Sequence, residues 1–229
     1  MGTVKEKNKV YLYIIIIGVI ICSLFYTIEQ FLEVSYLFTT IWKVILFGVI
    51  PYGLYYFFNK VSPFRLIKIN KNSNSIKIGL LLGGFALAII WMTYFIVKSY
   101  IDLDLIANEL MGSNLITPKN YPFVALYIAF GNSFLEEFFF RGFIFLQLHS
   151  LGYKKAAYIF SALLFAIYHV AIFKTWFSPW LILLAVIGLF IGGIIFNYIG
   201  YKSESIINSW IIHICSDIAI VVIGFIMFY

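Results

Sequence analysis

The chain has 229 residues, of which 63% are hydrophobic, 21% aromatic and only 11% charged. A soluble domain carries about a quarter charged residues, so this balance excludes an ordinary globular protein and points into the bilayer. The formal net charge of +6 does not signal nucleic acid, because the basic residues sit between apolar runs, where positive loops set membrane topology.

A helical span needs roughly 20 apolar residues, and hydropathy draws seven such runs at about 10–28, 38–58, 76–98, 122–148, 155–173, 179–199 and 206–228. The expected fold is all-α: a polytopic helical membrane protein with about seven transmembrane helices. Cys22 and Cys215 both lie inside apolar runs, so neither reads as half of a disulfide framework. Ile21 is too bulky to precede a lipoprotein cysteine, and no small-residue cleavage motif follows the first run, which reads as a retained span. Lys5, Lys7 and Lys9 precede that span, and Lys60, Arg65, Lys68 and Lys71 fill the second connection. Lys154, Lys155 and Lys202 fall on the same side; Lys98, Lys119 and Lys174 on the other are offset by Glu29, Glu33, Asp102, Asp104 and Glu109. The bias predicts a cytoplasmic N-terminus. Lys43, near the outer end of the second span, is expected to snorkel to the interface.

Residues 102–111 place Leu103, Ile106, Leu110 and Met111 on one helical face. This segment is expected to lie flat in the outer interface as a connector, with a lid role as the alternative. Gly79/Gly83 and Gly188/Gly192 have the spacing that lets helices approach closely, and are read as packing. The division expected is residues 1–121, three spans and the interfacial segment, and 122–229, a four-span core, within one integrated membrane domain.

Ionisable groups inside spans are costly and mark function by default. Here they concentrate in the second half: Glu136, Glu137 and Arg141 in span four, His169 in span five, His213 and Asp217 in span seven. Glu137 and Arg141 are four apart with the acid first, which predicts an internal salt bridge. Glu136 lies about 100° further round that helix, beside Asn132, and lacks a charged partner on its own helix. His213 and Asp217 are four apart, so the carboxylate can orient the imidazole. His169 has only Phe165 one turn before it. At 1.5 Å per residue, Glu136, His169, Asp217 and His213 lie roughly 20, 22, 18 and 12 Å from the cytoplasmic ends of their spans, depths that permit one shared cavity. A glutamate facing a histidine in such a cavity can deprotonate water, and a second histidine can stabilise the oxyanion formed on an amide carbonyl. Cys215 points away from His213 and makes a poor nucleophile.

These residues carry a resemblance. EEFFFR (136–141) matches the EExxxR motif of the CPBP family of intramembrane proteases, the CAAX-protease and bacteriocin-processing or Abi family. FAIYH (165–169) matches its FxxxH motif, HICSD (213–217) resembles its HxxxN/D motif, and the order is the family's. The resemblance covers roughly residues 120–228 and implies metal-independent peptide-bond hydrolysis at or within the membrane. On this chain it implies that Glu136 and His169 activate water and that His213 and Asp217 form the oxyanion site, with Glu137 and Arg141 supporting. Many members have asparagine where this chain has Asp217; an ionised aspartate cannot donate a hydrogen bond, so Asp217 is expected to act by holding His213.

Two alternatives stay open on the residues alone. One is a zinc enzyme built from the same histidines and carboxylates, although no HExxH motif is present. The other is a non-catalytic or bacteriocin-immunity membrane protein. The expected partners are the lipid bilayer and a membrane-associated peptide or protein substrate, with no cofactor and no nucleic acid. The abundant Ile, Asn, Lys, Phe and Tyr point to an AT-rich bacterial genome, so the expected location is a bacterial plasma membrane.

Overall fold

The computed structural model describes residues 3–32, 35–68, 73–112 and 115–229; Glu33 and Lys71, counted above in the charge bias, lie outside them. Seven helices are long and apolar enough to cross a membrane: α1 Val4–Phe31, α2 Tyr36–Asn59, α3 Ile76–Tyr100, α5 Tyr121–Ser150, α6 Lys154–Phe173, α7 Pro179–Ser203 and α8 Ile207–Phe228. Between α3 and α5 lies the shorter α4, Leu103–Gly112. The all-α, seven-span expectation is met, and the described residues contain no strand. Side chains such as Leu81, Phe85, Phe95 and Phe123 are more than half exposed, and these outward apolar faces are what lipid would cover.

Helix α5 is the centre of the bundle. Its run Phe139, Phe140, Phe143, Ile144, Phe145 is fully enclosed, with Phe47 of α2 tilted against Phe139 at 4.5 Å and Phe165 of α6 edge-on at 5.2 Å to Phe140. Between apolar helices there is little hydrophobic drive, so close packing and interhelical hydrogen bonds hold the bundle. Ser161 of α6 donates to the Phe140 carbonyl of α5 (2.9 Å) and to Asn197 Oδ1 of α7 (3.2 Å), and Trp210 of α8 donates to Ser133 Oγ of α5 (3.1 Å). Widened π-helical turns interrupt α2 at Val44–Val49 and α5 at Tyr127–Asn132 and Glu137–Leu146. Such turns often occur at functional sites.

The glycine expectations divide. Helix α3 packs on α8, and a Cβ at Gly83 would stand 2.6 Å from Cys215 Sγ, so that glycine is where the two helices touch. Gly188 and Gly192 are different: a Cβ at either meets nothing within 4 Å, and the packing role falls to Gly193, 3.0 Å from the Ala162 Cα of α6. The GxxxG spacing is in the sequence, but α7 turns the neighbouring residue toward its partner.

On the side where α1 begins, the 3₁₀ turn Pro63–Ile67 is fastened to the α7–α8 turn. The Leu66 carbonyl accepts from Ile206 N (2.9 Å) and from Ser205 Oγ (3.0 Å), and the Leu66 side chain fills the space left by Gly142. On the opposite side, Glu109 of α4 accepts from Thr175 Oγ1 (2.8 Å) and Trp176 Nε1 (2.9 Å) in the α6–α7 connection. Ile106 and Ala107 of α4 are buried, so this helix is anchored at that end of the bundle by both polar and apolar contacts.

Candidate active site

Glu136 and Glu137 stand together in α5 because adjacent residues on a helix point about 100° apart, and each carboxylate meets a different set of partners. Glu136 is 1% exposed and Glu137 is fully enclosed. Unpaired, each charge in such a place would cost roughly 2.5–3.5 kcal/mol on insertion scales, so the partners decide whether the arrangement is tolerable.

The two oxygens of Glu136 do different things. Oε1 accepts from Lys43 Nζ (2.6 Å), from Asn132 Nδ2 (3.0 Å) and from the Tyr168 hydroxyl (3.3 Å). Oε2 has no hydrogen-bond partner among the described residues and faces His169 Nε2 at 3.5 Å and His213 Nε2 at 3.7 Å. The helices α5, α6 and α8 therefore bring Glu136, His169 and His213 to a common point. Asp217 Oδ1 lies 3.7 Å from His213 Nε2, so it joins the same point from one turn further along α8.

The orientation of each imidazole is set by its other nitrogen. His169 Nδ1 lies 2.7 Å from the Phe165 carbonyl oxygen one turn earlier. A carbonyl only accepts, so Nδ1 carries the proton and Nε2 is the nitrogen turned to Glu136. This amends the expectation that His169 has no partner on its own helix: the partner is backbone, which side-chain spacing does not reveal. The Phe165 ring also packs at 4.4 Å against the imidazole. His213 Nδ1 lies 2.9 Å from Glu137 Oε1, and the carboxylate acceptor again places a proton on Nδ1.

Glu137 and Arg141 form an ion pair at 3.4 Å with both side chains fully enclosed, but the pair is not self-contained, since the same Oε1 holds His213. The guanidinium is sandwiched between Phe165 and Phe196, at 4.1 and 4.9 Å from the ring centres. Ring faces on both sides are favourable surroundings for the guanidinium charge. Arg141, Glu137 and His213 are thus a chain leading to the point where Glu136, His169 and Asp217 meet. His213 donates its hydrogen bond to Glu137, whereas Asp217 stands off at 3.7 Å.

The largest departure from expectation is Lys43. It does not snorkel: it is 6% exposed and points into the bundle, donating to Glu136 Oε1 and to Asn132 Oδ1. The rings of Phe25, Phe47 and Tyr168 surround its ammonium at 5.0–5.5 Å. A carboxylate and three ring faces hold the charge more favourably than the short reach to the interface would. The one sequence signal for it is the surplus carboxylate Glu136, which needs a cation from another helix. Cys215, by contrast, packs toward α3 and takes no part. The remaining histidine, His149, packs at 4.4 Å and tilted against Tyr201, apart from the cluster.

The cluster is enclosed on most sides, but the side chains of His169 and Asp217 keep 15% and 16% exposure. That side is its opening. Among the described residues no group of three His, Cys, Asp or Glu side chains has the geometry to hold a metal ion.

A helical bundle of seven spans with carboxylates and imidazoles from three of them gathered at one point defines a multi-pass membrane protein with an intramembrane ionisable site. Residues 118–219, just under half of the chain, match the Rce1-like family described as type II CAAX prenyl endopeptidase Rce1-like. This C-terminal stretch is similar to that family of membrane proteases, in keeping with the CPBP resemblance of its three motifs. No curated protein and no solved structure matches the chain.

Proposed function

We propose that this protein is an intramembrane endopeptidase that hydrolyses a membrane-associated peptide or protein precursor with water activated by Glu136 and His169, and without a metal. The observation that carries the reading is the pairing of Glu136 Oε2 with His169 Nε2 at 3.5 Å, the first an oxygen without a donor, the second a nitrogen whose proton sits on the far side of the ring. Two acceptors turned toward one another are satisfied by the two O–H groups of a water beside them, which is the ground state a general base requires.

In the reaction, Glu136 takes a proton from that water as its oxygen attacks the scissile carbonyl carbon. The carbonyl oxygen becomes the oxyanion, and His213, held by Glu137 at Nδ1, donates to it from Nε2. The proton held by Glu136 then passes to the leaving amine as the C–N bond breaks. Asp217, 3.7 Å from Nε2, faces the donor edge of His213 and favours its charged form, so it contributes by charge and not by donating. With Glu136, Glu137 and Asp217 ionised, Lys43 and Arg141 supply two of the three positive charges needed, and a proton shared with His213 supplies the third.

Two further features support the reading. The ammonium of Lys43 already neutralises Glu136 at Oε1, at 2.6 Å, and it would repel a dication placed at Oε2. The basic residues around the start of α1 and around Pro63–Ile67 favour a cytoplasmic position for that side, and lipid access to the site comes from the His169–Asp217 side. The substrate class is a peptide bond close to the membrane, in a prenylated CAAX tail or an unprenylated precursor.

The test is peptidomics of membranes from cells expressing wild type, Glu136→Gln or His169→Ala at matched abundance. Peptides generated by wild type, lost in both variants and still generated in the presence of strong chelators are expected. Identical peptide profiles in wild type and Glu136→Gln would leave a non-catalytic role, such as immunity, as the better account. Loss of the products on chelation would return the zinc reading.

A further inference from the structure

We propose that Lys43 is a positioning residue of this site: it holds one oxygen of Glu136 so that only the other can act as the base. The inference rests on the hydrolytic reading above and adds to it a residue from outside the matched stretch 118–219. A counter-ion that merely neutralised Glu136 would have no preference between the two oxygens. Here the preference is complete, since Lys43, Asn132 and Tyr168 all donate to Oε1 and none of the described residues donates to Oε2.

The arrangement is also closed on itself. Lys43 donates to both Asn132 and Glu136, and Asn132 donates to Glu136, so the three side chains form a ring joining α2 to α5. Rotation of the carboxyl group would break three hydrogen bonds at once. The ammonium cannot follow such a rotation, because rings from three helices enclose it: Phe25 of α1, Phe47 of α2 and Tyr168 of α6. The helix backbone is adapted at both partners. A π-helical turn begins immediately after Lys43, and another ends at Asn132.

A base held in one rotamer needs no reorganisation when the substrate arrives. Lys43 touches neither the attacking water's side of Glu136 nor the histidines, and its effect on the reaction passes entirely through Oε1. The role predicts a loss in turnover rather than in substrate binding.

The experiment compares wild type, Glu136→Gln, Lys43→Met, Lys43→Arg and Lys43→Cys, the last in a Cys22→Ala/Cys215→Ala background and treated with 2-bromoethylamine to rebuild a side chain ending in an ammonium. Peptidomics of membranes identifies products that depend on Glu136. The precursor of the most abundant one, synthesised as a peptide, then gives kcat and KM per folded molecule. Lys43→Met is expected to lose about 10²-fold in kcat with little change in KM. Bromoethylamine should restore most of the kcat of Lys43→Cys, and Lys43→Arg, whose wider head cannot fit the same three rings, should restore less. Unchanged kcat per folded molecule in Lys43→Met would overturn the proposal, as would a kcat loss that the rebuilt ammonium does not repair. If Glu136→Gln itself matches wild type, with no product depending on it, the hydrolytic reading fails and Lys43 falls with it; a dead Glu136→Gln beside a fully active Lys43→Met defeats the Lys43 proposal alone.

Discussion

Replacing Glu137 by glutamine separates two jobs that the same carboxylate performs. Both it and Arg141 are fully enclosed, with Glu137 the carboxylate 3.4 Å from the guanidinium and the rings of Phe140, Phe165 and Phe196 around it. Glu137→Gln keeps an oxygen of similar shape for His213 but leaves the guanidinium without its counter-charge. Breaking a buried pair by removing one partner costs about 3–5 kcal/mol. For a chain of this size that corresponds to a fall in unfolding temperature on the order of 10 °C. Replacing both residues, as Glu137→Met/Arg141→Met, removes the orphaned charge, and stability should return to near the wild-type value. Activity should not return, because His213 Nδ1 then has no acceptor and its ring is free to turn. The assay is tryptophan-fluorescence unfolding of the detergent-purified protein, run beside the peptide-product measurement on the same preparations. A Glu137→Gln protein that melts with wild type, or a double variant that is stable and fully active, would refute the reasoning.

Other expectations follow from single contacts. Gly193→Ala, with its new Cβ 3.0 Å from the Ala162 backbone, should destabilise the protein by about 1–3 kcal/mol through overpacking; Gly192→Ala, which meets open space, should not lower the unfolding temperature. Tyr168→Phe removes the longest of the three hydrogen bonds to Glu136 Oε1, at 3.3 Å, and should reduce turnover by less than about tenfold, against the larger loss expected of Lys43→Met. Glu109→Ala removes the acceptor for Thr175 and Trp176, and hydrogen exchange should quicken across Leu103–Gly112 while α5 stays protected; equal protection in that segment would show that its apolar face alone holds it.

Much of the architecture is readable in the residues because the bilayer imposes one rule on every span: continuous apolar length. Seven runs are enough to define seven helices, and the position of Glu136, His169, His213 and Asp217 within their runs is enough to permit a meeting point. What cannot be read is which face each helix turns to its neighbours. Gly193, not Gly192, meets α6 because of a rotation of α7 that leaves no trace in the spacing. Glu137 reaches across to His213, 76 residues away, through a helix pairing that the (i, i+4) rule cannot see. Lys43 departs from expectation for a related reason: a lysine near the end of an apolar run ordinarily escapes to the interface, and only the carboxylate from α5 and the rings of three helices reverse that preference.

The fastening of Pro63–Ile67 to the α7–α8 turn bears on how small a working version of this protein can be. The matched stretch starts at residue 118, which invites trimming the chain to its last four spans. Such a fragment would discard Leu66, whose carbonyl satisfies two donors at the point where α8 begins, and would open the notch over Gly142. The start of α8 sets how far His213 and Asp217 stand along the bundle, so a cut far from the chemistry would let the register of the last helix drift. The first three spans are in this sense the jig in which the last four are held to length.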